Sequence, residues 1–373
     1  MSVIYTPEMV KVKDICSCIE EFAPLSWQES WDNCGLLVGN PHQMVGNILL
    51  TIDVTEAVVA EAVELQAQMI ISHHPLILSG IKQLTGSTDT QRAISLAIKH
   101  DIAIYAAHTC MDVAPDGVSH RMAAKLGLAH LQVLSPQGSG LQKLVTFIPA
   151  GHFGQVQRAV FEAGAGHIGK YDMCGYSVEG KGTFRALDNA RPFVGRHGTQ
   201  HTESEIRFET VFPSYLSRQV VTALINSHPY EEPAYDLYAL QNTDARVGLG
   251  VVGVLPAPMS ELHFLEKLKK TFSVPVIRHT RLKGKEILRV ALCGGSGSTL
   301  VTNAIRQKAD VFVTADCKYH QFAAAEENIL VADIGHFESE QFTKEIFYDI
   351  IIQKFPTFAL QFSKINTNPI NYL

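Results

Sequence analysis

The sequence predicts an α/β core of two similar βα-type halves that form one dinuclear metal site, interrupted by an α+β ferredoxin-like domain. Three observations predict this. Short apolar runs alternate with helical patterns at both ends of the chain, as in parallel βαβ units covered on both faces. The turn-rich stretch Ser135-Pro136-Gln137-Gly138-Ser139-Gly140 marks a change of pattern that lasts to about residue 245. Histidines and carboxylates stand where apolar runs end, in both outer segments.

The elements follow in order. In the first segment, residues 1–140, helices are expected over 13–22, 56–65, 89–100 and 119–126, the last stopped by Gly127. Strands are expected over 47–52, 68–72 and 102–107, all short and apolar. The middle segment, 141–245, begins with a strand over 144–149 and a helix over 153–163. A hairpin-like pair, 171–178 and 182–187, precedes a strand at 205–212, a helix at 215–227 and a strand at 235–240. That order is β-α-β-β-α-β with one extra strand, the split βαβ pattern. The last segment, 246–373, resumes alternation. Helices are expected over 262–271, 298–308, 319–327 and from about 338 to 352, and strands over 287–292, 311–314 and 330–333. No sequence repeat links the two outer halves.

A chain of 373 residues exceeds one ordinary core. Hydrophobic content of 46% and a net charge of -6, without a Lys/Arg run, suit a packed globule and give no footprint for nucleic acid. The N-terminal residues lack the basic and apolar regions of a signal peptide, and no apolar run reaches the roughly 18 residues of a membrane span. Seven scattered cysteines without a CxxC pair fit a reducing cytoplasm; Cys16 and Cys18 read as packed helix residues.

The chemistry lies in three motifs: Ser72-His73-His74-Pro75, His108-Thr109-Cys110-Met111-Asp112 and His336-Phe337-Glu338-Ser339-Glu340. Each follows a predicted strand, and open parallel sheets bind ligands beyond their strand carboxyl ends. Imidazole with carboxylate suits a borderline divalent ion such as zinc, manganese or iron. The candidate ligands are His73, His74, His108, Asp112, His336 and Glu340, more than one catalytic ion uses. Two ions side by side follow, with neighbouring His73 and His74 expected to diverge and serve one each. Asp112 stands four residues beyond His108, and Glu340 four beyond His336, where it is placed to bridge.

Four further groups are weaker. Asp53 ends a strand and either holds a ligand or caps a helix. Asp316 and His320 repeat the four-residue spacing; His320 is a candidate general acid/base, a support for a ligand, or part of a solvated helix start. Cys293-Gly294-Gly295-Ser296-Gly297-Ser298 offers a Gly-rich turn before a helix, which could cradle a phosphate but lacks a P-loop lysine. Glu231-Glu232 reads as a solvated turn.

Trp31-Asp32-Asn33-Cys34-Gly35-Leu36-Leu37-Val38-Gly39, SHHP, HTCMD, CGGSGS, DCKYH and GHFESE together resemble, in order and over essentially the whole chain, the NIF-three-like family. Its members carry the label GTP cyclohydrolase I type 2 homolog. The segment with HPYEEPAYDLY is similar to the insert of longer bacterial members, which resembles a PII/CutA-like domain. The resemblance implies a dinuclear centre in which His74, Asp112 and Glu340 hold one ion, and His73, His336 and Glu340 the other. His108 is implied close by, as ligand or support. Cys110 replaces the Asn usual in HTNxD, as a neutral change or an added soft ligand. A homohexamer with sites facing an internal cavity is also implied.

The function expected is a metal-dependent hydrolase of GTP cyclohydrolase I type 2 type, acting on a nucleotide or related small molecule. The other reading is a non-enzymatic metal-binding or regulatory scaffold whose middle domain senses a ligand.

Overall fold

The computed structural model describes residues 9–137, 140–242, 244–325 and 327–373. The chain divides into two compact units, one joining the segments up to Pro136 and from Ala245, the other Gln137–Asp244.

The first unit is built on two mixed sheets. One has the strand order Ala359–Phe362, Asn47–Thr51, Met69–Ser72, Ala103–Ala106, Gly35–Val38, all parallel except the last. Residues 48–51, 69–72 and 103–106 are buried throughout, because helices cover both faces. Val12–Phe22 and Thr343–Lys354 pack on one face, Glu56–Glu64 and Asp89–Lys99 on the other. Thr55 and Thr88 start the latter two helices by accepting from Val58 N and Gln91 N. Val118–Leu126 ends at Gly127, whose φ of 71° supplies the left-handed turn expected there.

The other sheet runs Arg278–His279, Leu330–Asp333, Val311–Thr314, Glu286–Leu292, Gly248–Ser260, Ala129–Pro136. Its three central strands are parallel and its flanking strands antiparallel. Three of these strands escaped the sequence reading, Arg278–His279 because it is only two residues long. Ala129–Pro136 is half exposed, so its apolar pattern is weak. Gly248–Ser260 carries glycines and prolines that read as loop; Pro256 and Pro258 fall where its register against Glu286–Leu292 shifts between Val254 and Met259. The helix expected from residue 338 is two helices, His336–Glu340 and Thr343–Lys354.

The second unit is a four-stranded antiparallel sheet in the order Tyr235–Ala239, Leu141–Pro149, Gln200–Pro213, Gly175–Arg185, with helices Phe153–Glu162 and Ser217–Ser227. The expected hairpin with its extra strand is instead the single strand Gly175–Arg185. Gly180 and Gly182 suggested a turn, but an uninterrupted ladder from Gly175↔Thr210 to Arg185↔Gln200 carries the chain straight through them. Phe208, Phe212, Ile148, Val160 and Leu224 centre its core. Among the described residues, no helix is long and apolar enough to cross a membrane.

Candidate metal centre

The donors gather at strand ends of the first unit. His73 and His74 follow Met69–Ser72, His108 follows Ala103–Ala106, and Asp112 lies on the short helix Thr109–Val113 that His108 precedes. From the other sheet, His336 and Glu340 bracket a helix of one turn beyond Leu330–Asp333. Three parallel strands therefore bring donors from distant sequence to one place with short connections.

Every histidine of the cluster is held by its Nδ1. His73 Nδ1 donates to the Ala107 carbonyl at 2.9 Å, His74 Nδ1 to Asp53 Oδ1 at 2.7 Å, His108 Nδ1 to Asp32 Oδ1 at 2.9 Å and His336 Nδ1 to Asp316 Oδ2 at 2.6 Å. All four partners are acceptors only, so each Nδ1 carries its proton and Nε2 is the nitrogen left to bind. The carboxylates are themselves fixed. Thr367 donates to Asp53 at 2.6 Å, Ser296 to Asp316, and the Thr109 backbone N–H and hydroxyl and the Asn33 N–H all to Asp32.

The Nε2 atoms converge on Glu340. Its Oε2 lies 3.0 Å from His74 Nε2 and 3.1 Å from His336 Nε2, and these two nitrogens are 3.3 Å apart. Its Oε1 lies 3.6 Å from His73 Nε2, which is also 3.6 Å from Asp112 Oδ1. Donor atoms within 4.8 Å of one another thus form two sets sharing Glu340: His74, His336, Glu340 and His73, Asp112, Glu340. This exchanges the partners that the resemblance implied for the adjacent histidines. The cause is the tether on each ring. His73 is tied toward the strand on one side, through Ala107, and His74 toward the strand on the other, through Asp53. A third set, His73, His74 and His108, also falls within 4.8 Å, so the adjacent rings separate less than strand alternation alone implies.

Three buried atoms here lack a hydrogen-bond partner: His73 Nε2, Asp112 Oδ1 and Glu340 Oε2. Each is an atom of a kind that can ligate a metal; Glu340 Oε2 has only the two imidazole Nε2 atoms beside it, and an orphaned buried polar atom such as His73 Nε2 or Asp112 Oδ1 costs about 1–3 kcal/mol unless something binds it. The donor chemistry, imidazole nitrogen plus carboxylate oxygen, fits a divalent cation. Charge agrees. Burial pushes the Glu340 carboxyl up, but His73, His336 and His74 outweigh it and hold it well below the usual range. Burial draws His74 down, yet Asp53 and Glu340 lift it to about 10. His336 goes the same way, to about 9, with Glu340 and Asp316 overcoming burial. Burial raises Asp112, against the pull of His73.

A sequence model of the Duf34/NIF3 (NGG1p interacting factor 3) family matches residues 10–369. The chain belongs to the Duf34/NIF3 family. Among curated members, the GTP cyclohydrolase 1 type 2 homolog of Halalkalibacterium halodurans is 37% identical over 364 residues, covering 96% of this chain and 98% of that protein. The Bacillus subtilis homolog of the same name is 39% identical over 338 residues, covering 90% of each. The crystal structure of a Bacillus cereus protein related to NIF3 superposes with a TM-score of 0.86 at 35% identity, covering 98% of this chain and all of that one. A Staphylococcus aureus protein follows at 0.77 and 30%, covering 98% and 99%.

Other residues singled out in this Duf34/NIF3 chain sort by position. Asp53 and Asp316 accept from Nδ1 of the candidate ligands His74 and His336, and the helix after Asp53 is capped by Thr55 instead. Asp32, whose carboxylate is held low by the hydrogen bonds of His108 and Thr109 against burial, had no role in the sequence reading beyond the family motif. Its half-buried contact to His108 spans 76 residues, and no local pattern announces it. Cys110 is fully buried; its hydrogen bond with Cys34 and its burial push the thiol far up, and it joins none of the donor sets. The glycine turn spends three of its backbone N–H groups on hydroxyls of the chain itself. Gly294 N donates to Ser119 Oγ, Gly295 N to Ser339 Oγ and Gly297 N to Thr314 Oγ1. Gly295 instead makes room, since a Cβ there would collide with Glu340 Oε1. His320 is exposed on Tyr319–Ala325, its ring against Tyr319, and belongs to none of the donor sets.

Proposed function

We propose that the chain is a dinuclear metal-dependent hydrolase of GTP cyclohydrolase I type 2 type, acting on a nucleotide or related small molecule. The observation that carries this is Glu340, whose two oxygens face two different donor sets. Glu340 would be shared between two ions, with His73 and Asp112 as the other donors of one and His74 and His336 of the other; His108 stands beside both histidines of the SHHP motif. Two divalent ions held there, zinc, manganese or iron, would supply Lewis acidity and bring the pKa of a bound water down toward about 7.

The chain's own residues do the rest. The carboxylates of Asp53, Asp32 and Asp316 keep the imidazoles in one tautomer, so that the site is assembled before substrate arrives. Trp31 is exposed, with its ring 5.8 Å from that of His108, and offers a face on which a flat base can stack. His320 is proposed as an acid/base group that acts from outside the ligand set. The core is residues 1–140 with 246–373, and 141–245 is an inserted PII/CutA-like domain. The curated relatives' name supports a nucleotide substrate, and the family resemblance supports a cytoplasmic homohexamer.

The test is metal-replete protein screened against GTP and other nucleotides, with the product identified. Turnover that requires added metal and disappears in His74→Ala supports the hydrolase. Metal binding without turnover of any nucleotide, ester or amide supports the scaffold reading, which the cavity in Gln137–Asp244 favours.

A further inference from the structure

The second unit contains a cavity of about 830 Å³, within the range of small-molecule sites. The rings of Phe147, Phe184, Phe193 and Tyr230 line it. Phe184 and Phe193 tilt against Tyr230 at centroid distances of 5.9 and 6.3 Å. Among the carboxylates that line it, Glu205 is only 8% exposed. The Tyr230 hydroxyl donates to Glu205 Oε1 at 2.8 Å. Glu205 Oε2 lies over Gly182, where any Cβ would collide with it. A carboxylate has about four acceptor positions, and Tyr230 fills one. The HPYEEP motif, which the metal centre does not use, supplies this wall through Tyr230, Glu231 and Glu232.

Charge selects the ligand. Acids outnumber bases around the cavity, and one of the bases, Arg207, is paired with Glu209 at 2.8 Å. Such a lining repels a polyanion. Aromatic walls suit a flat ring, and a buried carboxylate takes up paired N–H donors best, since both of its oxygens are then used.

We propose that this cavity is a binding site for a flat ring presenting two adjacent N–H donors, which Glu205 receives. Two sources share that chemistry: the N1–H and N2 amino edge of guanine, and an aryl amidinium. This site is separate from the metal centre, and its occupancy requires no turnover.

The probes are guanosine, inosine and benzamidine, titrated calorimetrically into the metal-loaded full-length protein. Guanosine is expected to bind, and inosine, which lacks the amino group, to bind roughly ten-fold or more weaker. Glu205→Gln keeps the shape but turns one oxygen into a donor, and should weaken guanosine by a similar factor while metal content stays unchanged. His74→Ala should leave guanosine binding at this site intact. Benzamidine binding that depends on Glu205, with no guanosine binding, assigns the site to the amidinium source. Absence of binding by both guanosine and benzamidine overturns the proposal, as does binding that Glu205→Gln leaves unaltered. Because binding is read without catalysis, a failed turnover screen leaves this result standing.

Discussion

His108 Nδ1 donates to Asp32 Oδ1 at 2.9 Å, and Asp32 receives three further hydrogen bonds from Asn33 and Thr109. An anchor of this kind would fix which nitrogen of His108 faces a bound ion. Asp32→Asn should therefore fold but bind metal about 10–100-fold more weakly. Competition with a chelator measures this, and unchanged affinity would make Asp32 a loop support only.

Glu340→Ala should deplete both metal positions together, because its two oxygens serve both donor sets. Elemental analysis of fully loaded protein should give close to two ions per chain for the wild type and well under one for the variant. Loss of a single ion would contradict the bridge.

Metal uptake should release protons near neutral pH. Without metal, His74 and His336 hold their second protons up to about 10 and about 9. Both rings must give up the Nε2 proton to ligate, so affinity should fall as pH is lowered. Titration in buffers of different ionisation enthalpy should count at least two protons released. In the metal-free protein these raised values favour folding fully below the ordinary imidazole value of 6.5, and that contribution disappears as pH rises to about 10. Metal-free melting temperatures should drop across this window, and those of loaded protein should not show this loss.

His320→Ala should leave metal content intact, because His320 lies outside the donor sets. A fall in turnover at constant metal would give it the acid/base role; metal loss matching that of His74→Ala would make it a ligand.

Residues 141–245 should be removable. Pro136 and Gly248 are paired neighbours in one sheet, so Gly140 can be joined to Arg246 through a short linker without stretching either strand. The shortened protein should stay soluble and bind metal to the wild-type level. Insolubility, or a folded product without metal, would refute the independence of the site.

Much of the site was legible because strand ends are legible. His73, His74, His108 and His336 each follow a short apolar run, and such runs are hard to mistake. The partition of ligands was not, since it depends on Ala107 and Asp53, which reach His73 and His74 from neighbouring strands. Asp32 was invisible for the same reason. In the fold, local glycine signals misled: Gly180 and Gly182 sit inside a strand, and Gly248–Ser260 is a strand despite its prolines. Long-range pairing outweighs local preference in both places.

The strand Ala359–Phe362 lies beside Asn47–Thr51, and Thr367 reaches back to Asp53. His73 and His74 leave the ribosome nearly three hundred residues before the segment that completes their sheet and supplies Glu340. A growing or prematurely terminated chain therefore displays histidines without the carboxylate that joins them. The two donor sets that share Glu340 are therefore complete only after the last segment of the chain has been made.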